Sequence, residues 1–154
     1  MDVGCGGSGA ISMPAADPLA SEYLAHYIPT PTTNNQAEYD GLIEALRLAS
    51  TQGFDSLRVC GDSYLLLQQM RGLNRIRHPG LRKQYMQARE LSSQFHCEFH
   101  HRTRDKNQAA DFLSKLAPDS ACDFGTRPDV KPLAPTHIPT LYDYIDLDLT
   151  LDPG

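Results

Sequence analysis

The period of apolar positions changes from one segment of this chain to the next. Gly9 to Met13 (GAISM) and Glu22 to Ile28 (EYLAHYI) read as strands. From Asn35 to Thr51 the spacing becomes helical, and the segment carries its own start and stop. Thr33 with Gln36 fits a capping box, and Gly53 follows as a terminator. Ser56 to Cys60 (SLRVC) predicts a short strand with Asp62 directly after it, and Ser63 to Arg71 a helix ended by Gly72. Leu81, Tyr85, Ala88, Leu91 and Phe95 recur at helical spacing and predict a helix over 80–95. Cys97 to His101 reads as a strand, and Asp105 as the N-cap of a last helix through Leu116. Two strands, then helix, strand, helix, helix, strand and helix, predict an α/β fold: a mixed sheet with helices on its faces.

The pattern stops near Ala117. Residues 118–154 hold six of the eleven prolines and no helical period, so the expected organisation is a domain over 1–117 and a disordered, Pro-rich acidic tail over 118–154. Within that tail Ile145 to Asp152 (IDLDLTLD) alternates strictly, as a strand would, with no obvious partner. A free linear motif and an edge strand are both open.

Composition excludes some classes. A chain of 154 residues is about one domain. No run of eighteen apolar residues exists to form a membrane-spanning helix, so no membrane role is expected. The N-terminal MDVGCGGSGA has neither a basic nor an apolar region of the secretory kind. Cys5, Cys60, Cys97 and Cys122 are scattered without a CxxC pair, which argues against zinc and against a disulfide framework. The expected location is intracellular, in the cytoplasm or nucleus.

Charge changes the picture more. The net charge of −5 resides in residues 118–154, where Arg127 and Lys131 face seven aspartates. Between Arg71 and Lys106 stand nine basic residues (Arg71, Arg75, Arg77, Arg82, Lys83, Arg89, Arg102, Arg104, Lys106) against three acids. Such a stretch is either a solvated helix face or a surface that meets a phosphate backbone.

Three carboxylates are the candidate chemistry. Positions i+4, i+7 and i+11 from Glu38 are Leu42, Ala45 and Ala49, so Glu38 lies on or at the rim of the face that packs on the sheet. Its plain alternative is the favourable dipole of a helix N-terminus. Asp62 follows a strand's C-terminal end, where α/β sheets bind ligands, and doubles as a plausible N-cap. Asp111 sits in the first turns of the last helix, off its apolar stripe of Ala109, Phe112, Leu113 and Leu116. Oxygen-only sites of this kind suit hard cations, Mg²⁺ or Mn²⁺. A pair of such ions can activate water and stabilise a leaving oxygen at a phosphodiester.

TTNNQAEYDGLIEAL, VCGDSYLLLQQM and RDKNQAADFLSKLA, in that order, resemble three motifs of the type 1 ribonuclease H family, nearest to its reverse-transcriptase-like branch. The resemblance covers roughly residues 4–117. It implies a ribonuclease H-like mixed sheet and two-metal hydrolysis of the RNA strand of RNA–DNA hybrids. It implies Glu38, Asp62 and Asp111 as catalytic metal ligands, and Asn34, Asn35, Ser63, Arg104 and Asn107 as nucleic-acid contacts. Asn34, Asn35 and Ser63 also suit helix capping. Some members carry a histidine where Arg104 stands. His100 and His101 lie just upstream, and the reading favoured for them is that of ordinary strand residues.

The first motif is the departure. Aligned on the glycines of Val3-Gly-Cys-Gly-Gly-Ser-Gly-Ala10, the family's first strand and its aspartate fall before Met1, and Asp2 is no natural substitute. The expected fold therefore lacks its first strand. Alternative readings are a catalytically inactive nucleic-acid-binding module and a truncated retroelement fragment. A missing central strand leaves backbone groups unpaired at roughly 1–3 kcal/mol each, so marginal stability is expected unless another segment fills the gap. The alternating tail is the candidate filler.

Overall fold

The computed structural model describes residues 4–17 and 20–151, so Asp2 lies outside the described residues. Strand β1 (Gly4–Ser12) pairs antiparallel with β2 (Glu22–Thr32), and β2 pairs antiparallel with the two-residue β5 (Phe124–Gly125). Strand β3 (Ser56–Gly61) pairs in parallel with β4 (His96–His101) in a separate sheet, from Ser56 opposite His96 to Gly61 opposite His101. Among the described residues no strand joins the two sheets, and a cavity of about 700 Å³ has β1 on one side and β3 on the other.

Helix α1 (Asn34–Gln52) bridges the halves. Its start is the expected capping box: the Thr33 hydroxyl accepts from the Gln36 amide at 3.2 Å, and the Gln36 side chain accepts from the Thr33 amide at 2.9 Å. Gly53 ends it at φ 78°, a left-handed value that a side chain would strain. Tyr39, Leu42, Ile43 and Leu46 pack with Leu66, Leu67 and Met70 of α2 (Tyr64–Met70) and Leu81 and Ala88 of α3 (Pro79–Ser92), over β3 and β4. Leu48 instead joins Ala10 and Leu24 of the first sheet.

Helix α4 (Gln108–Ser120) covers β1 and β2 through Ala109, Leu113 and Ala117. It approaches β1 closely, since a Cβ added at Gly9 would overlap the Ala110 carbonyl oxygen. The absent side chain at Gly9 is thus what lets α4 lie on the strand.

The segment beyond Ala117 departs from expectation. Residues 118–151 are folded here: β5 extends the first sheet, and His137–Leu151 forms a helix, α5, that packs Leu141 and Ile145 against Ala109, Leu113 and Ala117. The alternating stretch is helical, because Leu141, Ile145 and Asp148 stand at i, i+4 and i+7 and share the buried face. It does not fill the space between the sheets as a strand. Arg127 ties the same region to α1, 3.5 Å from the buried Glu44 carboxylate.

Candidate active site

The three carboxylates arrive from both halves of the molecule. Glu38 stands one turn into α1, Asp62 directly after β3, and Asp111 in the first turn of α4. All three line the cavity between the sheets, together with Asn34, Ser63, Arg104 and Asn107. Asn35, also expected at the nucleic acid, is half-buried at the start of α1 and is not part of that lining.

Glu38 has the altered chemistry. Burial, then the charge of Asp62, push its carboxyl up to about 7, against smaller opposing effects of the Arg104 guanidinium and a Ser63 hydrogen bond. A half-buried carboxyl forced to share space with a second carboxylate is the arrangement that a cation relieves. At present Asp62 is 3.3 Å from Nε of the exposed Arg104, so a protein cation already leans on the pair. Ser63 serves twice: it bonds Glu38, and its hydroxyl oxygen accepts from the Leu66 amide at 3.2 Å to cap α2.

Asp111 is less committed. Its carboxylate pairs with Lys115 at 2.9 Å, one turn along the same helix. Among the described residues no three His, Cys, Asp or Glu side chains stand close enough together to hold a metal ion as they are. The donor chemistry nonetheless fits a hard cation: Glu38 and Asp62 supply oxygens in mutual repulsion, and Asp111 faces the same cavity behind an exposed ion pair.

The nucleic-acid candidates are placed unevenly. Thr33 caps α1, which leaves Asn34 exposed at the cavity mouth with no capping duty for its side chain. Asn107 occupies the N-cap position of α4, yet its side chain makes no capping bond; Asp105, expected there, sits in a short 3-10 turn over Arg104–Lys106. Of the basic stretch, Arg71 bonds the Phe99 carbonyl, Arg89 the Met70 carbonyl at 3.0 Å and Arg102 the Asp148 carbonyl at 2.6 Å. Arg75, Arg77, Arg82, Lys83 and Lys106 are exposed. His101 lies at the rim, 3.3 Å from the Asp62 carbonyl, and His100 pairs with Glu98 at 3.6 Å; neither lines the cavity.

Sequence reasoning missed Asp148. This buried residue of α5 lines the same cavity, and its two carboxylate oxygens accept from the Gln108 and Ala109 amides at 2.8 and 3.0 Å. The helical spacing of Leu141, Ile145 and Asp148 was the available signal, masked by the two-residue alternation of the same stretch.

Two sheets flanked by helices, with carboxylates from α1, the end of β3 and α4 on one cavity, define an α/β domain built around an acidic, all-oxygen site. A family model described as reverse transcriptase-like matches residues 2–117, and the chain belongs to that family, of ribonuclease H type. The chain is 43% identical over 90 residues to ribonuclease HI of Halobacterium salinarum, spanning 58% of this chain and 45% of that protein. It is 42% identical over 90 residues to a bifunctional protein of Mycobacterium tuberculosis, of which it spans 25%. The chain thus spans less than half the length of these relatives. Among solved structures, RNase H1 of the same Halobacterium superposes with a TM-score of 0.71 at 35% identity, over 77% of this chain and 89% of that one. LC11-RNase H1, solved in complex with an RNA/DNA hybrid, superposes with a TM-score of 0.68 at 30% identity, over 78% of this chain and 90% of that one.

Proposed function

We propose that this chain is a nuclease domain that hydrolyses the RNA strand of RNA–DNA hybrids, with Glu38, Asp62 and Asp111 holding divalent metal. The observation that carries the reading is the state of Glu38, a carboxyl pushed up to about 7 by burial and by Asp62 on a cavity that Asp111 also lines. Perturbed acids of this kind collect at functional sites. Related ribonucleases, one of them solved on an RNA/DNA hybrid, favour hydrolysis over a module that only binds.

Each residue has a task. Glu38 and Asp62 would hold a divalent cation, Mg²⁺ or Mn²⁺, and ionisation of Glu38 is what readies the pair. When bound, such a cation supplies charge stabilisation at the phosphodiester and makes water a competent nucleophile at neutral pH. Ser63 fixes the Glu38 carboxyl through its hydrogen bond. Arg104, exposed and paired with Asp62 at 3.3 Å, would be available to a phosphate if a cation took its place at Asp62. Asn34, Asn35 and Asn107 offer amides that donate and accept, the equipment for sugar edges and 2′-hydroxyls, by which RNA is told from DNA. The exposed Arg75, Arg77, Arg82 and Lys83 add phosphate contacts that weaken as salt rises. The cytoplasm or nucleus is the location we propose with this reading.

The test is cleavage of a labelled RNA–DNA hybrid in Mg²⁺ by this chain and by Asp62→Asn, with hybrid binding measured on the same samples. Cleavage that the substitution abolishes supports the reading. Binding without cleavage in the unmodified chain overturns it in favour of a hybrid-binding module.

A further inference from the structure

Helix α4 carries Asp111 in its first turn, and nothing local caps that turn. Asn107 holds the N-cap position without a side-chain bond to the helix. The first amides are met from forty residues away: Asp148 Oδ1 accepts from Gln108 N at 2.8 Å and Oδ2 from Ala109 N at 3.0 Å. One carboxylate thereby satisfies two of the orphan donors that every helix start presents. The residue is only 8% exposed. Its backbone is tied in turn, since Arg102 donates to the Asp148 carbonyl at 2.6 Å. Leu141 and Ile145, at 0% and 1% exposure, seat α5 on Ala109, Leu113 and Ala117 of α4.

We propose that Asp148 is a positioning residue: by gripping the first turn of α4 from the C-terminal helix, it sets where the Asp111 carboxylate stands relative to Glu38 and Asp62. The proposal rests on the reading of Asp111 as a metal ligand. Asp111 lies two residues past Ala109, on the turn that Asp148 holds. On its other side α4 is pressed to β1, where Gly9 and Gly7 have no room for a Cβ against the Ala110 and Ser114 carbonyls. The helix is thus fixed laterally by β1 and axially by Asp148. Loss of the axial hold lets the first turn fray and moves the third carboxylate while the other two keep their places. Asp148 lies beyond residues 2–117, the part of the chain that the family model matches.

The experiment compares the full chain with Asp148→Asn and Asp148→Ala, and with Leu141→Ala as a variant that loosens α5 without touching the cap. Mg²⁺ is titrated into each and followed by the backbone amide signals of Glu38, Asp62 and Asp111, beside hydrogen exchange of Gln108 and Ala109. Hydrogen-bonded supports of metal ligands are worth 10–100-fold in metal affinity when removed. The expected result is about a tenfold weaker Mg²⁺ midpoint in Asp148→Ala, read alike at all three ligand signals because one bound cation has one affinity, together with faster exchange at Gln108 and Ala109. Asparagine keeps one acceptor, so it should fall between wild type and alanine. An unchanged Mg²⁺ midpoint in Asp148→Ala, or the same weakening in Leu141→Ala, would reduce Asp148 to a stabilising cap and overturn the proposal.

The two readings fail separately. Hybrid cleavage without any Mg²⁺ response at Asp111 overturns the positioning role alone. A weakened Asp111 response in a chain that cleaves no hybrid supports the positioning role and removes the nuclease reading.

Discussion

Replacing Glu38 by glutamine should make the metal-free protein more stable at pH 8 and change it much less near pH 5. The carboxyl is lifted from an ordinary 4.5 to about 7, first by burial and then by Asp62. The folded state therefore holds a proton that the unfolded chain releases between those values. Stability that is fully present below about 4.5 is lost as pH rises through 7, because the proton must leave a site that resists charge. Two and a half units at about 1.36 kcal/mol each give an upper figure of roughly 3.4 kcal/mol. The carboxyl is half-buried and reached by solvent, so screening lowers this to about 1–2 kcal/mol. Glutamine has the same shape and no charge to force, so it removes the penalty. Urea unfolding in EDTA, followed by far-UV circular dichroism across pH 5–8, measures both proteins. The wild type should lose stability across that range relative to the variant, most of it between pH 5 and 7. Millimolar Mg²⁺ should then raise the wild type at pH 8 and leave the variant unmoved, since a cation favours the ionised pair. Parallel stability curves for the two proteins in EDTA would refute the reasoning, because they would mean that Glu38 ionises in the fold as freely as in the unfolded chain.

Other perturbations follow from single contacts. Gly9→Ala forces a methyl onto the Ala110 carbonyl and should destabilise by about 3 kcal/mol or more, read as a lower urea midpoint. Tyr39→Phe leaves Gln69 Oε1 without the hydroxyl that donates to it at 2.6 Å in the core, and should lose about 1–3 kcal/mol in the same assay. Neutralising Arg82 and Lys83 together should lower the slope of log affinity against log salt by about 2 for a duplex probe, leaving the unfolding midpoint nearly unchanged. Deleting residues 134–154 removes Leu141, Ile145 and Asp148 from α4 and should lower the melting temperature sharply; an unchanged transition would mean that α5 does not hold α4.

Much of the fold was legible because its signals are local. Thr33 with Gln36 placed the start of α1, and Gly53 and Gly72, both at φ 78°, placed the ends of α1 and of the α2 turn. Glu38 was legible as an inward-facing acid because Leu42, Ala45 and Ala49 share its face, and the structure gives it the perturbed chemistry that such a place implies. What failed is what depends on partners distant in sequence. Asp105 has the right residue type for an N-cap, yet the 3-10 turn ends before α4 and hands that duty to Asp148. Ile145 to Leu151 satisfies a strand period and a helix period at once, and only the apolar groove of α4 decides between them. No pattern within residues 118–154 discloses that groove, so a disordered tail was the expected outcome.

The site's placement has its own consequence. Asp62 belongs to the half built on β3 and β4, and Asp111 to the half built on β1 and β2. Glu38 stands on α1, the helix that packs on both, through Tyr39, Leu42 and Leu46 toward one core and Leu48 toward the other. Between the halves lies a cavity of about 700 Å³, with no strand across it among the described residues. A cation held by all three carboxylates would therefore add a link between the two halves beside α1 and the Arg102–Asp148 hydrogen bond. Binding of that kind stabilises the folded state by RT ln(1 + [L]/Kd), about 2.7 kcal/mol at a hundredfold excess over Kd. Metal bound there would then stabilise the fold as well as serve the proposed chemistry. Mg²⁺ should raise the melting temperature of the unmodified chain and fail to do so in Asp62→Asn, whether or not a hybrid is present.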